Sequence, residues 1–179
     1  MKIYTRKGDD GSTGLLYGGR VRKDGPAPTA YGAVDEAQAA LGAVRAECGR
    51  GSELDSMLIG LERDLWVLMA ELATDPANCS KLTEGQSLVT DEMVTALELS
   101  IDDLSARFEP PTEFVVPGET RVAALLDVAR TVVRRAERDS IAVANADSRA
   151  VAYLNRLSDL LWTMARWQEG TSLPTREDP

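Results

Sequence analysis

Residues able to do chemistry gather in three stretches of the chain. The first, Thr5 to Asp24, reads TRKGDDGSTGLLYGGRVRKD and crowds five glycines among hydroxyls and cations. Glycines let successive backbone N–H groups converge on an anion, and Lys7, Arg20 or Lys23 can neutralise charge on phosphate oxygens. The stretch has no GxxxxGKS or GxxxxGKT run, so it is not a Walker A loop. A glycine-rich surface loop or hairpin with solvated charges has the same composition, and composition does not separate the two. The second stretch, ARTVVRRAERDS, sets Arg130, Arg134, Glu137 and Arg138 along one strip through i, i+3 and i+4 spacing. Glu137 offsetting Arg134 and Arg138 on a solvated helix face is the plainer explanation of that spacing. Against it stands the overall charge of −9, from 20 basic and 29 acidic residues, which makes the arginine cluster a local positive exception suited to phosphate.

The third group consists of polar residues inside apolar helices: Asp35 and Glu36 in YGAVDEAQAALG, and Asn155, Arg156 and Asp159 in YLNRLSDLLW. Asn155 follows an inward Leu154, and burying its amide unpartnered costs about 1–3 kcal/mol. A partner is therefore required, either an interhelical contact that fixes packing register or a ligand. FVVPGET places Phe114 before a Val-Val-Pro turn, where an ordinary core anchor serves as well as a ligand contact.

Composition removes whole classes of mechanism. The chain has no histidine, which excludes His-ligated zinc, Ser-His-Asp and Cys-His catalysis and imidazole proton shuttling. Cys48 and Cys79 are too few for a disulfide scaffold and lack CxxC spacing, so a reducing cytoplasm is expected. The acidic balance argues against nucleic acid or an anionic membrane as partner. The opening MKIYTRKGDD lacks the apolar run of a signal peptide, and no apolar stretch is long enough for a membrane span, so a soluble, cytoplasmic protein is expected.

The elements that must position these groups read as helices. Leu54, Leu58, Leu61, Leu65, Leu68 and Leu72 alternate steps of four and three between Ser52 and Ala73, the seam of a helix packed nearly parallel to its neighbours. Val94, Leu97, Ile101, Leu104 and Phe108 repeat the pattern after a Thr90 N-cap, and Pro110-Pro111 ends it. Further helices are expected from about Thr29 to Cys48, from near Thr120 to about Ala144, and from Asp147 or Ser148 to Gln168 with Gly170 as C-terminal cap. The first of these carries Tyr31, Val34, Leu41 and Val44, but its alanines obscure the buried face. Short connections at Gly49–Ser52 and Asn145–Ser148 favour antiparallel neighbours. The expected fold is all-α, an up-and-down five-helix bundle with a glycine-rich N-terminal segment, little room for a sheet, and a longer loop from Asp75 to Ser87. One domain is expected over 1–171, with a frayed tail over 172–179.

Taken together and in this order, the glycine-rich segment, YGAVDEAQAALG, FVVPGET, ARTVVRRAER and YLNRLSDLLW resemble the PduO-type ATP:cob(I)alamin adenosyltransferases, from Thr5 to about Arg166. The resemblance implies a five-helix bundle assembled as a homotrimer with active sites between subunits. It implies transfer of the 5′-deoxyadenosyl group of ATP to the Co(I) of a reduced corrinoid, giving adenosylcobalamin and triphosphate, with Mg²⁺ on the phosphates. By the same resemblance, Thr5, Arg6, Lys7, Gly8, Asp9, Asp10, Gly11, Ser12, Thr13 and Lys23 cradle the triphosphate, and Arg130, Arg134 and Asn155 complete the nucleotide site. Asp35 matches an acidic partner that pairs with Arg130 across the subunit boundary. Phe114 matches the aromatic residue that displaces the lower axial ligand of cobalamin. Glu137 and Arg138 complete the RRAER run of the site. An electron donor and an adenosylcobalamin-dependent recipient enzyme are the further implied partners. No protein ligand of a metal is identified.

Such chemistry suits a chain without imidazole. Co(I) is itself the nucleophile, so the protein has only to align cobalt with carbon and stabilise charge on the leaving triphosphate. Two departures from the family pattern stand out: Gly118-Glu119-Thr120 adds a carboxylate after the proline, and Gln38 and Ala37 replace the usual asparagine and leucine after Asp35-Glu36. A non-catalytic corrinoid carrier that keeps the ATP pocket is the rival reading.

Overall fold

Every leucine of the 54–72 seam is buried, none more than 6% exposed. Burying each leucine side chain stabilises the fold by about 1.5–3 kcal/mol. This seam belongs to α2 (Glu53–Leu72), one of five α-helices in a computed structural model that describes residues 3–176. The others are α1 (Pro26–Glu47), α3 (Asp91–Ser105), α4 (Arg121–Ser140) and α5 (Ala150–Glu169). Ser52, Thr90 and Thr120 cap α2, α3 and α4 by accepting from Asp55 N, Met93 N and Ala123 N.

Cross-helix pairs fix the directions. Glu36 meets Arg135 and Glu47 meets Arg121, so α1 and α4 are antiparallel. Arg45 meets Asp55 and Glu62 on α2, Tyr153 of α5 meets Asp64 of α2, and Asp91 and Glu98 of α3 meet Arg149, at the N-cap of α5, and Arg156 of α5. Successive helices therefore alternate in direction, and α3 and α5 run the same way, as the short connections predict. The alanine-rich face of α1, with Ala30, Ala33 and Ala37, proves to be the buried one, and α4 answers with Ala123, Ala129 and Ala136. Small residues on both sides let these two helices pack closely.

The structure differs from the sequence expectation in several places. Two small antiparallel sheets are present: β1 (Ser12–Gly14) with β2 (Arg20–Arg22), and β3 (Val115–Val116) with β4 (Leu173–Pro174). The glycine-rich segment is thus a hairpin whose turn uses Gly18 and Gly19 at φ of 104° and 96°. Its Leu16 N–H donates to Ala73 O at 2.8 Å, tying the tip to the end of α2. The tail expected to fray from Ser172 is instead held at Leu173–Pro174 by pairing with β3; Glu177–Pro179 lie outside the described residues. Helix α1 begins at Pro26 rather than Thr29, because proline needs no intrahelical N–H partner in the first turn. Helix α4 stops at Ser140, not Ala144, as the N–H groups of Val143 and Ala144 both turn back to Ser140 O. Helix α3 ends at Ser105 and α5 begins at Ala150. Within the 75–87 loop, Pro76–Lys81 forms a 3₁₀ turn capped by Asp75.

Candidate active site

The buried face of α4, through Ala123, Leu126, Ala129, Val133 and Ala136, dictates what its flank presents. Arg130, Arg134 and Arg138 follow one another along that flank, spanning about 12 Å of helix axis at 1.5 Å per residue. Arg134 and Arg138 are exposed and form no ion pair among the described residues. Arg130, with its side chain 28% exposed, donates its Nε–H to Asp127 Oδ1 at 3.0 Å.

Beside Arg130, the segment from Pro111 to Pro117 closes over α4 and α5. Together they enclose a cavity of about 480 Å³ lined by Phe114, Val115, Asp127, Arg130, Trp162 and Arg166, among others. Phe114 is 88% exposed, so it is not the core anchor that its apolar neighbours allowed. Its position comes from its backbone: Phe114 O accepts from Thr175 N and Oγ1 at 2.8 and 3.1 Å. An aromatic ring left in water in the same cavity as a guanidinium is a poor arrangement for stability and a good one for a large apolar ligand with anionic company.

Farther along α4, Glu137 Oε1 accepts from Asn155 Nδ2 at 2.9 Å, and Asn155 Oδ1 accepts from Arg156 at 2.8 Å. This supplies the partner that the half-buried Asn155 requires. Glu137 consequently bonds α5 in addition to standing between Arg134 and Arg138 in sequence.

The hairpin stands at the end of the bundle where α1 begins and α2 and α4 finish. In it, Asp10 Oδ1 accepts from Ser12 N and Oγ at 2.9 and 2.7 Å, with Gly11 between them at φ 81°. The Ser12 hydroxyl, then its amide, hold the Asp10 carboxyl below its ordinary pKa. Arg20 spans the loop, donating to Lys7 O at 2.7 Å and to Ser12 Oγ at 3.1 Å. Lys23 N donates to Gly11 O at 2.9 Å, and a Cβ at Gly8 would come within 3.0 Å of Lys23 Nζ and 2.9 Å of Ser12 O. Gly8, Gly11, Ser12 and Lys23 are therefore one folded unit, joined by Thr5, whose Oγ1 accepts from Lys7 N, and by Arg6, whose O accepts from Asp9 N. Thr13 pairs with Val21 across the hairpin.

Within one chain these residues form three separate sets: the hairpin unit, the Glu137–Asn155 pair, and Arg130 with Phe114 in one cavity. It does not bring Asp35 to Arg130: Asp35 is exposed on α1, and its neighbour Glu36 takes Arg135 at 2.5 Å. Sequence reasoning missed Asp127, Trp162 and Arg166. The available signal was a lone acid in the apolar run LLDVA, three residues before Arg130, and a lone cation in MARW.

The family model for cobalamin adenosyltransferase matches residues 3–168. The chain belongs to the cobalamin adenosyltransferase family. Among its adenosyltransferase relatives, the corrinoid adenosyltransferase of Citrobacter freundii is 42% identical over 173 residues, 95% of this chain and 96% of that one. The corrinoid adenosyltransferase of Mycobacterium tuberculosis strain H37Rv is 39% identical over 170 residues, covering 92% and 87%. In three dimensions the chain is similar to a single-residue variant of a PduO-type ATP:corrinoid adenosyltransferase from Lactobacillus reuteri complexed with cobalamin and ATP. That comparison has a TM-score of 0.87 and 28% identity and covers 98% and 97% of the two chains. The PduO-type resemblance read from five motifs and these likenesses agree.

Proposed function

We propose that this protein transfers the 5′-deoxyadenosyl group of ATP to the Co(I) of a reduced corrinoid, releasing triphosphate. The electron pair of Co(I) forms the Co–C bond as the C5′–O bond breaks, and the departing triphosphate keeps the bond's electrons. No protein group needs to gain or lose a proton. The observation that carries this reading is the cavity in which Arg130 and the water-exposed ring of Phe114 share a wall, with Arg134 one helical turn away.

In this reading Arg130 and Arg134 stabilise the charge growing on the leaving group, an effect worth most in a site that excludes water. The hairpin unit of Thr5 to Thr13 with Lys23 takes the outer phosphates, and Asn155, Glu137 and Arg138 border the nucleotide. ATP enters as its Mg²⁺ complex. The cation is ligated by phosphate oxygens and water. Phe114 occupies the lower face of the corrin and excludes water and the cofactor's own base. Cobalt without that axial ligand accepts an electron more readily.

A homotrimer is part of the proposal. Asp35 on α1 and Arg134 and Arg138 on α4 are charged, exposed and without ion pairs among the described residues, which suits completion by a neighbouring copy. No described helix is long and apolar enough to cross a membrane. We place the reaction in the cytoplasm, where ATP and an electron donor meet, with an adenosylcobalamin-dependent enzyme as the recipient of product.

The test is anaerobic incubation with MgATP and chemically reduced cob(I)alamin, following the absorbance change as the cobalt–carbon bond forms. Stoichiometric adenosylcobalamin and triphosphate are expected; no product refutes the reading.

A further inference from the structure

Behind the Phe114 cavity Arg130 belongs to a set of charges whose other members have no task in the reaction above. Asp127 is 6% exposed, and both of its oxygens are taken: Oδ1 by Arg130 Nε at 3.0 Å and Oδ2 by Arg166 Nη2 at 2.6 Å. Arg166 is itself 2% exposed. Its Nε lies 2.7 Å from Glu169 Oε1, and its guanidinium carbon is 5.8 Å from the centroid of the Trp162 ring. A buried guanidinium held by two carboxylates and an aromatic face has little freedom, so the carboxylate bound to it has little either.

Arg130 is the only member of this set that reaches toward solvent, and it is tied through Nε alone. Its two terminal nitrogens make no hydrogen bond to any described residue, while its side chain lines the same cavity as Phe114. Bonding at Nε fixes the plane of the guanidinium and leaves its outer fork open. That is the geometry a preorganised donor needs, since an arginine free to rotate must be ordered again at each turnover.

We infer that Asp127 is a positioning residue for adenosyl transfer: it clamps Arg130 at Nε so that the terminal nitrogens keep a fixed direction into the cavity, and Arg166 with Glu169 holds Asp127 in place. This rests on the transferase reading for its effect on rate. Asp127 touches no substrate and acts only through Arg130.

The experiment compares Asp127→Asn and Asp127→Glu in the wild-type and Arg130→Ala backgrounds, using MgATP and pre-reduced cob(I)alamin. Asp127→Asn is expected to lower kcat by about 10- to 100-fold, with KM for ATP changing by less than about threefold. Asp127→Glu, which keeps the charge, recovers part of the loss. In the Arg130→Ala background Asp127→Asn costs less than about twofold, because residues acting as one unit are not additive. An unchanged kcat, or the same further loss in both backgrounds, overturns the inference.

Because Asp127→Asn strips a buried arginine of a charged partner and can prevent folding, a second measurement uses the wild-type protein. Side-chain ¹⁵N relaxation and hydrogen exchange should show the Arg130 Nε–H ordered and protected, unlike that of exposed Arg134. A freely rotating, fast-exchanging Arg130 Nε–H overturns the inference whether or not the protein turns over. Failure of the wild-type protein to adenosylate corrinoid refutes the transferase reading instead and leaves this measurement decisive.

Discussion

Thr175 holds the carbonyl oxygen of Phe114 twice, through its N–H at 2.8 Å and its hydroxyl at 3.1 Å. Next to this, Val115 pairs with Pro174 and Val116 with Leu173. A residue that follows the last helix therefore sets the backbone of the most exposed aromatic side chain in the cavity wall.

If Phe114 works by excluding axial ligands, loosening it should harm reduction more than transfer. Thr175→Pro removes both donors, at about 0.5–1.5 kcal/mol for each hydrogen bond. Turnover starting from Co(II) with a reductant is expected to fall several-fold more than turnover starting from Co(I). Phe114→Ala should show the same split more strongly. Equal losses in the two assays would contradict the wedge role.

Arg134→Ala should separate stability from chemistry. The side chain is exposed and unpaired among the described residues, so the melting transition should move by no more than about 0.5 kcal/mol equivalent. The rate of adenosyl transfer should drop by about 100-fold or more. Thermal melts and single-turnover kinetics on one preparation check both halves.

Gly8→Ala should raise KM for ATP. Gly8 carries no positive φ, so the penalty is steric: the new methyl would sit 2.9 Å from Ser12 O and 3.0 Å from Lys23 Nζ. The backbone oxygen cannot yield easily, and Lys23 is displaced. Gly32→Ala, where a Cβ meets nothing within 4 Å, is the control; in mid-helix it should stabilise by about 1 kcal/mol with KM unchanged.

Stability should also carry a pH signature from the α2–α5 interface. Burial raises the Asp64 carboxyl above its ordinary pKa, partly countered by the 2.8 Å hydrogen bond from the Tyr153 hydroxyl. A carboxyl with a raised folded-state pKa contributes stability that is fully present below its unfolded pKa, near 3.8, and is lost as pH rises through the folded value. Asp64→Asn keeps an acceptor for Tyr153 and removes this loss. The variant should gain on the wild type as pH rises from about 4 toward neutrality, and denaturant titrations at several pH values measure the difference. A pH-independent gap would show that Asp64 ionises normally.

Much of this molecule can be read before it is seen, and the reasons are local. Leucine spacing gives α2, and hydroxyl caps at Ser52, Thr90 and Thr120 mark helix starts through bonds made within three residues. Pairings between distant segments leave no such trace. Val115–Val116 and Leu173–Pro174 are too short for a period-2 pattern, so neither announces the other. Asp127 was overlooked for a related reason: an acid in an apolar run is conspicuous only once Arg166, 39 residues later, is known to be buried against it. The arginine strip itself was legible because helical spacing alone sets it.

The flank of α4 also makes that helix a measuring rod. Inserting one residue between Arg130 and Arg134 would swing every later side chain by about 100° and slide it by about 1.5 Å, taking Arg134, Glu137 and Arg138 off the line together. Length changes at Gly49–Ser52 or among residues 145–148 disturb no such alignment. Insertions and deletions should therefore be better tolerated at the corners of the bundle than along this edge.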